Sequence, residues 1–383
     1  GLPMTVTSQT DEIFDFVIIG AGIAGASVAA YLAEDATLCL VEGEGQAGYH
    51  ATGRSAAMYV PAYGPPAIRM LTRASGAFFK APPIGFADTD LLRDRAILMI
   101  ATFAQRQSLL EFEQDVEAAK VMQKLDASQL HQYQPLLRDG YADSGLYDPT
   151  GSDIDVDALH RGFLRQTKQH GGHIVTNSTV TSLIRKNAVW HVQTNTGQIK
   201  GRVIINAAGA WAEAVGQMAG AETIGLVPKR RTALLIEPDD TIDIASMPMT
   251  IDIDEQFYLK PDAGLLLLSP ANEDPMPACD VQPDELDIAI CIDRIERAFD
   301  LSISRLNAKW AGLRSFVSDK VPVVGYSNKI EGFFWLAGQG GYGIQTSPAL
   351  GRFAAAAARG EQVPDDIAKT GLRAEMLHPD RLR

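Results

Sequence analysis

Cysteine is scarce in this 383-residue chain: there are three, Cys39, Cys279 and Cys291, far apart and without a C-x-x-C pair. That odd, scattered set argues against a disulfide framework or a zinc site, and it fits a reducing cytoplasm. Basic residues are outnumbered, with 34 Lys and Arg against 47 Asp and Glu for a net charge of −13. Such a balance disfavours general binding to nucleic acid or to an anionic membrane. No apolar run is long enough to cross a bilayer. The nearest, Phe16 to Ala33, falls short of a span and carries three glycines spaced as G-x-G-x-x-G. A basic n-region is missing too: Gly1 to Glu12 is polar and ends in Asp11 and Glu12, so no secretory leader is expected. Gly1-Leu2-Pro3 ahead of Met4 reads as an expression remnant and is set aside. His170 and His173 have no carboxylate or thiolate at ligand spacing, so they read as a helix-end and a strand residue, and no metal is expected.

What is present is a soluble composition, 46% apolar and 21% charged, on a chain long enough for two or three domain-sized units. Its organising stretch is residues 14–25. The apolar run Phe16 to Ile19 reads as a buried strand, Gly20-x-Gly22-x-x-Gly25 as a turn, and Ala26 to Ala33 as a helix. In that context the glycines have separate tasks. Gly20 makes the tight turn, Gly22 admits a pyrophosphate to the backbone, and Gly25 lets helix and strand pack closely. The helix N-terminus offers N–H groups and a positive dipole end to the phosphates. A second run, Thr37 to Val41, ends in Glu42, 22 residues after Gly20, where an acid can hold the ribose hydroxyls.

Gly48-Tyr-His-Ala-Thr-Gly-Arg-Ser-Ala-Ala57 follows, small and polar. Thr52, Arg54 and Ser55 can donate hydrogen bonds to a pyrophosphate, and Gly53 allows close approach. Residues 67–80 read as a helix, Leu91 to Phe103 as strands, Gln105 to Lys124 as one long amphipathic helix, and a short helix capped by Asp126 or Ser128 stops near Pro135. A helix over Asp153 to Gln169 precedes four strands near Ile174, Val180–Ile184, Val189–Thr194 and Ile199–Ile205. The last runs into Asn206-Ala-Ala-Gly209-Ala-Trp211 and a further helix. Residues 229–311 look strand-rich, with a helix from about Asp284 to Phe299. Lys229-Arg230-Arg231 is either a solvated basic run or a strand start with one side chain facing inward. Near the end, the strand Phe333 to Ala337 runs into a glycine-rich turn and a helix from about Ser347, with Pro348 in its first turn. That helix N-terminus would stabilise negative charge on a ring carbonyl. One adenosine-binding unit, no second fingerprint, and two glycine-rich strand ends returning from far along the chain point to FAD rather than NAD.

At this point the chain resembles the FAD-dependent D-amino acid oxidase/dehydrogenase superfamily, and most closely the bacterial D-arginine dehydrogenases. The similarity runs through Gly20–Gly25 with Glu42, the 48–57 block, Asp148-Pro-Thr-Gly-x-Asp-Ile-Asp155, Asn206–Trp211, Pro228-Lys-Arg-Arg231, Phe257–Gly264, Trp310–Phe316 and Gln339–Ser347. It implies an α/β fold, with a Rossmann-like FAD-binding domain (13–86, 148–228 and 312–383) and a sheet-rich α+β substrate domain (87–147 and 229–311). It implies oxidative deamination of a D-amino acid: hydride passes from Cα to the flavin, and the imine hydrolyses to a 2-oxo acid and ammonia. FAD, bound non-covalently, would rest on Gly20, Gly22, Ala24, Gly25, Glu42 and Gly43. It would also meet His50, Ala51, Thr52, Gly53, Arg54, Ser55, Ala56, Ala57 and Met58, with Val180, Gly209 and Trp211. The return loop Gly340, Gly341, Tyr342, Gly343, Ile344 and Gln345 would complete its cradle. Arg314 would clamp the substrate carboxylate, with Tyr258 in support, Arg231 nearby and Tyr63 at the mouth. Gly341 and Gln345 would face the flavin.

Two positions depart from the arginine dehydrogenases, which have a histidine at Met58 and an acid at Ile97. The wall built from Met58, Val60, Ile97 and Met249 is therefore expected to refuse an unpaired cation and to prefer neutral or apolar side chains. An N-methyl or cyclic secondary amino acid, a 2-hydroxy acid, or a non-catalytic FAD-binding role are the alternatives. The partners expected are a small amino acid and an electron acceptor of unknown identity, with no nucleic acid.

Overall fold

The computed structural model describes residues 11–45, 48 and 57–383. Strand Ile13–Ile19 runs through the glycine turn into helix Ile23–Leu32, and strand Leu38–Val41 returns parallel to it. On the other side Ile13–Ile19 pairs in parallel with Gly197–Asn206, whose tip pairs in parallel with Phe333–Ala337. His173–Val175, the hairpin Val180–Lys186/Val189–Thr194 and Val323–Tyr326 complete this eight-stranded sheet. Helices Ile23–Leu32 and Gly343–Ala358 pack with Leu40, Ile205 and Phe334 on one face. On the other, helix Ala212–Ala219 packs with Trp190, Phe333 and Trp335. Burial on both faces explains why these strands read as continuous apolar runs.

A second sheet has nine strands. Across it lie Asp274–Pro275, Val227–Ile236, Leu265–Ser269, Tyr258–Asp262, Met249–Asp252, Ile97–Ala101, Ser144–Asp148 and Gln123–Asp126, and Ala308–Phe316 pairs along Val227–Ile236. Its two faces differ, because successive side chains of a strand point to opposite sides. Leu98, Ile100, Leu234, Leu259, Leu266 and Leu268 form a core with Cys291, Ile295 and Phe299 of and beside helix Glu285–Ala298. Their alternates on several of these strands face a cavity shared with the first sheet. A small sheet of Met58–Tyr59, Ser152–Ile154 and Leu92–Asp94 lies beside them.

The structure differs from the sequence reading in three places. The expected boundaries at residues 148, 229 and 312 fall inside Ser144–Asp148, Val227–Ile236 and Ala308–Phe316, three strands of the second sheet. The single helix expected over Gln105 to Lys124 is broken into Arg106–Glu113 and Val116–Ala119, followed by strand Gln123–Asp126. Asp115 is the cause: its carboxylate caps the second helix at Glu117 N and Ala118 N while gripping Arg69 at 2.6 and 3.0 Å. The last long helix starts at Gly343, not near Ser347, so Pro348 lies inside it. Proline removes the N–H that Ile344 O would accept, and Ser347 Oγ donates to that carbonyl instead, at 2.8 Å.

Candidate active site

Gly20 has φ +103°, and a Cβ there would lie 2.2 Å from Ala207 O, so the turn admits no side chain. A Cβ on Gly25 would lie 1.7 Å from Gly20 O. Gly25 therefore packs helix on turn, and it is not part of the cavity wall where it was expected to meet the cofactor. Gly22, the helix N-cap, brings no side chain to that end. Beside it the Glu42 carboxylate accepts from Ala21 N–H at 2.9 Å and from Glu44 N–H at 3.3 Å. It is thereby fixed at the strand end where ribose hydroxyls would reach it.

From this turn a cavity of about 890 Å³ runs between the two sheets. Gly20, Gly22, Ala24, Glu42, Gly43, Ala57, Met58, Val180, Gly209 and Trp211 line it. So do Gly340, Gly341, Tyr342, Gly343, Ile344 and Gln345 at the far end. The expected contacts His50, Ala51, Thr52, Gly53, Arg54, Ser55 and Ala56 lie outside the described residues. The lining suits FAD. An acid stands beside a phosphate-type glycine turn at one end. At the other, Gln339 Nε2 and Ser315 Oγ are buried without a hydrogen-bond partner among the described residues, and both line the cavity. Buried polar atoms of this kind are expected to be satisfied by a bound group.

The return loop is pressed onto the second sheet. Gly340 N–H donates to Ser315 O at 3.0 Å, and a Cβ on Gly340 would lie 2.4 Å from the Phe316 ring. A Cβ on Gly341 would lie 1.6 Å from Arg314 Nη2. Glycine is thus required at 341 because a guanidinium passes over it.

On the cavity face of the second sheet stand Arg314, Arg231, Tyr258 and Met249. The Lys229-Arg230-Arg231 run divides by strand alternation. Arg230 turns to the helix side, where Asp287 Oδ2 accepts from its Nε at 2.7 Å. Arg231 faces the cavity, donating from Nε to Asn272 O at 2.9 Å and lying 3.5 Å from Glu273. Arg314 has no hydrogen-bond acceptor or carboxylate within ion-pair distance among the described residues. Its charge faces the cavity rather than bulk water, and burial, with the nearby Arg231 charge, pushes its pKa down to about 10. A cation held this way favours an anionic ligand. Tyr258 lies close enough to act on it electrostatically.

Tyr63 donates its hydroxyl to Asp148 Oδ2 at 2.9 Å, and burial, then the Asp148 charge, raises its pKa. Gln345 reaches the cavity wall, but its Nε2 donates inward to Thr72 Oγ1 at 2.9 Å. Of the expected wall, Met58, Val60, Ile97 and Met249 all line the cavity, and Ile97 pairs with Met249 across adjacent strands. Sequence reasoning missed Met99, Ile251 and Lys260 on the same face, although the two-residue period from Ile97, Met249 and Tyr258 points to each. Lys260 Nζ is held 2.7 Å from Asp153, which also pairs with Arg95 Nε at 2.9 Å. Glu255 and Glu273 at the rim carried no local signal. Among the described residues no group of His, Cys, Asp and Glu could hold a metal. His170 caps helix Val156–Gln169, and His173 opens a strand. No described helix is long and apolar enough to cross a membrane.

The chain is 28% identical over 217 residues to hydrogen cyanide synthase subunit HcnC of Pseudomonas aeruginosa, covering 55% of this chain and 50% of HcnC. It is 25% identical over 253 residues to mouse mitochondrial dimethylglycine dehydrogenase, covering 60% of this chain and 28% of that protein. The chain thus spans half or less of these two curated relatives. Among solved structures, L-proline dehydrogenase from P. horikoshii superposes with a TM-score of 0.79 at 20% identity, covering 97% of this chain and 98% of that one. Glycine oxidase from Bacillus cereus does so with a TM-score of 0.79 at 20% identity, over 93% and 99%. The model of the family of FAD-dependent oxidoreductases abbreviated DAO matches residues 15–357, and the chain belongs to that family.

Proposed function

We propose that this protein oxidatively deaminates a D-amino acid with a neutral or apolar side chain. The observation that carries the reading is Arg314, a cavity-facing guanidinium without a counter-ion among the described residues, set against a wall of Met58, Val60, Ile97 and Met249. An Arg fork binds a carboxylate in a fixed plane and so holds the substrate in one orientation. Tyr258 supports that grip, with Arg231 close by. Glu42 and the glycine turn would hold the ribose and pyrophosphate of FAD, and the return loop 340–345 would hold its ring. FAD, when bound, supplies the acceptor for the hydride leaving the substrate Cα. No described side chain is assigned as a base; the amine loses its proton to water, and the resulting imine hydrolyses to a 2-oxo acid and ammonia. The apolar wall provides no carboxylate at position 97 for a guanidinium or ammonium, so D-arginine and D-lysine are poor substrates.

The test is anaerobic bleaching of the bound flavin by a panel of D- and L-amino acids. Neutral D-amino acids reduce it fastest if the reading holds; fastest reduction by D-arginine overturns it. A second reading draws on relatives named for dimethylglycine, sarcosine and L-proline and on the iminodiacetate oxidase structure. Bleaching by N-methyl or cyclic secondary amino acids alone supports that one.

A further inference from the structure

His160 lies outside the cavity wall, 6% exposed on helix Val156–Gln169, yet its ring reaches the glycine turn. Nε2 lies 2.8 Å from Ala21 O. A carbonyl only accepts, so Nε2 carries the proton. Burial pushes the ring pKa below its ordinary value, which favours the neutral ring. The same ring abuts Gly48, where φ is +79° and a Cβ would lie 2.7 Å from Cε1 and 3.0 Å from Nδ1. His160 therefore underlies both the first glycine turn and the start of the 48–57 block.

The two peptide groups of the turn are anchored by different partners. Glu42 takes the Ala21 N–H at 2.9 Å, and His160 takes the Ala21 carbonyl. In a planar trans peptide the carbonyl and the next N–H point in opposite directions. With the carbonyl tied to His160, the Gly22 N–H points to the opposite side. Gly22 lines the cavity and its N–H has no acceptor among the described residues.

We propose that His160 is a positioning residue for the cofactor: by holding the Ala21 carbonyl it aims the Gly22 N–H at the FAD pyrophosphate. The test is titration of flavin-stripped protein with FAD, and competition of bound FAD by ADP and by adenosine. Loss of a buried hydrogen bond that orients a donor is expected to weaken FAD and ADP about tenfold in His160→Leu. Adenosine, which has no phosphate, binds that variant as it binds the parent. His160→Gln, whose Nε2 can still donate to Ala21 O, stays within about twofold of the parent. Unchanged FAD and ADP affinity in His160→Leu overturns the assignment, and so does an equal loss for adenosine. If the leucine variant does not fold, His160→Asn replaces it. Its side chain is one methylene shorter than glutamine and falls short of Ala21 O. A tenfold gap in FAD affinity between the Gln and Asn variants supports the proposal, and equal affinities refute it.

Discussion

Arg314 and Gly341 act as one unit at the scale of single residues. The guanidinium occupies the space where a Cβ at 341 would be, 1.6 Å from Nη2. Gly341→Ala is expected to push Arg314 off its axis, raising KM for the amino acid more than it lowers kcat. Arg314→Lys keeps the charge but loses the planar fork, and it should reduce kcat/KM about 100-fold with flavin content unchanged. Stopped-flow flavin reduction separates the two: a Gly341→Ala enzyme with unaltered KM would remove the contact from the account. On the proposed reading, Ile97 would govern selectivity by the same local reasoning. Ile97→Glu places a carboxylate in the apolar wall, beside Met249 in the adjacent strand. The ratio of kcat/KM for D-lysine over D-leucine should rise at least about tenfold, the order expected when a buried cation gains a partner. A ratio that stays flat would mean that the substrate side chain does not lie on this wall.

Individual elements show why some of the molecule was legible in the sequence and some was not. Ile13–Ile19, the glycine turn and Glu42 at the next strand's end were readable because a parallel strand and a tight turn impose residue types at fixed spacing. The inward member of Lys229-Arg230-Arg231 could not be chosen until the strand Val227–Ile236 had a register. Gln105 to Lys124 reads as one helix by period alone. What breaks it is the cap that Asp115 supplies to the next helix, and that carboxylate is held by Arg69, 46 residues upstream, a partner that no local pattern reports. Helix Gly343–Ala358 was read too short because Pro348 is an ordinary start signal, whereas here Ser347 replaces the hydrogen bond that proline removes. This yields a test by thermal or urea unfolding. Ser347→Ala should cost about 1 kcal/mol in the parent. In a Pro348→Ala background, where a backbone N–H is restored, it should cost less than half as much. Equal costs in both backgrounds would show that Ser347 does not substitute for the missing donor.

On the scale of the whole molecule, among the described residues, the cavity lies where the two sheets meet. Arg314 and Ser315 belong to a strand of the second sheet, and the loop ending at Gly343 leaves a strand of the first. Gly340 N–H fastens one to the other at Ser315 O, 3.0 Å away, under the Arg314–Gly341 contact. If the flavin binds against this loop as proposed, a loop clasped between prosthetic group and guanidinium would make the two ligands heterotropic effectors of each other. Whatever free energy the flavin contributes to ordering residues 338–343, a carboxylate entering afterwards need not supply, and thermodynamic linkage makes the advantage reciprocal. Flavin-stripped protein should therefore bind a simple carboxylate inhibitor about 5-fold or more weakly than the loaded protein, a coupling of ordinary size. The inhibitor should slow flavin dissociation in return. Calorimetry on both forms measures the two legs of the cycle, and identical inhibitor affinities would mean that the clasp is already closed before the cofactor arrives.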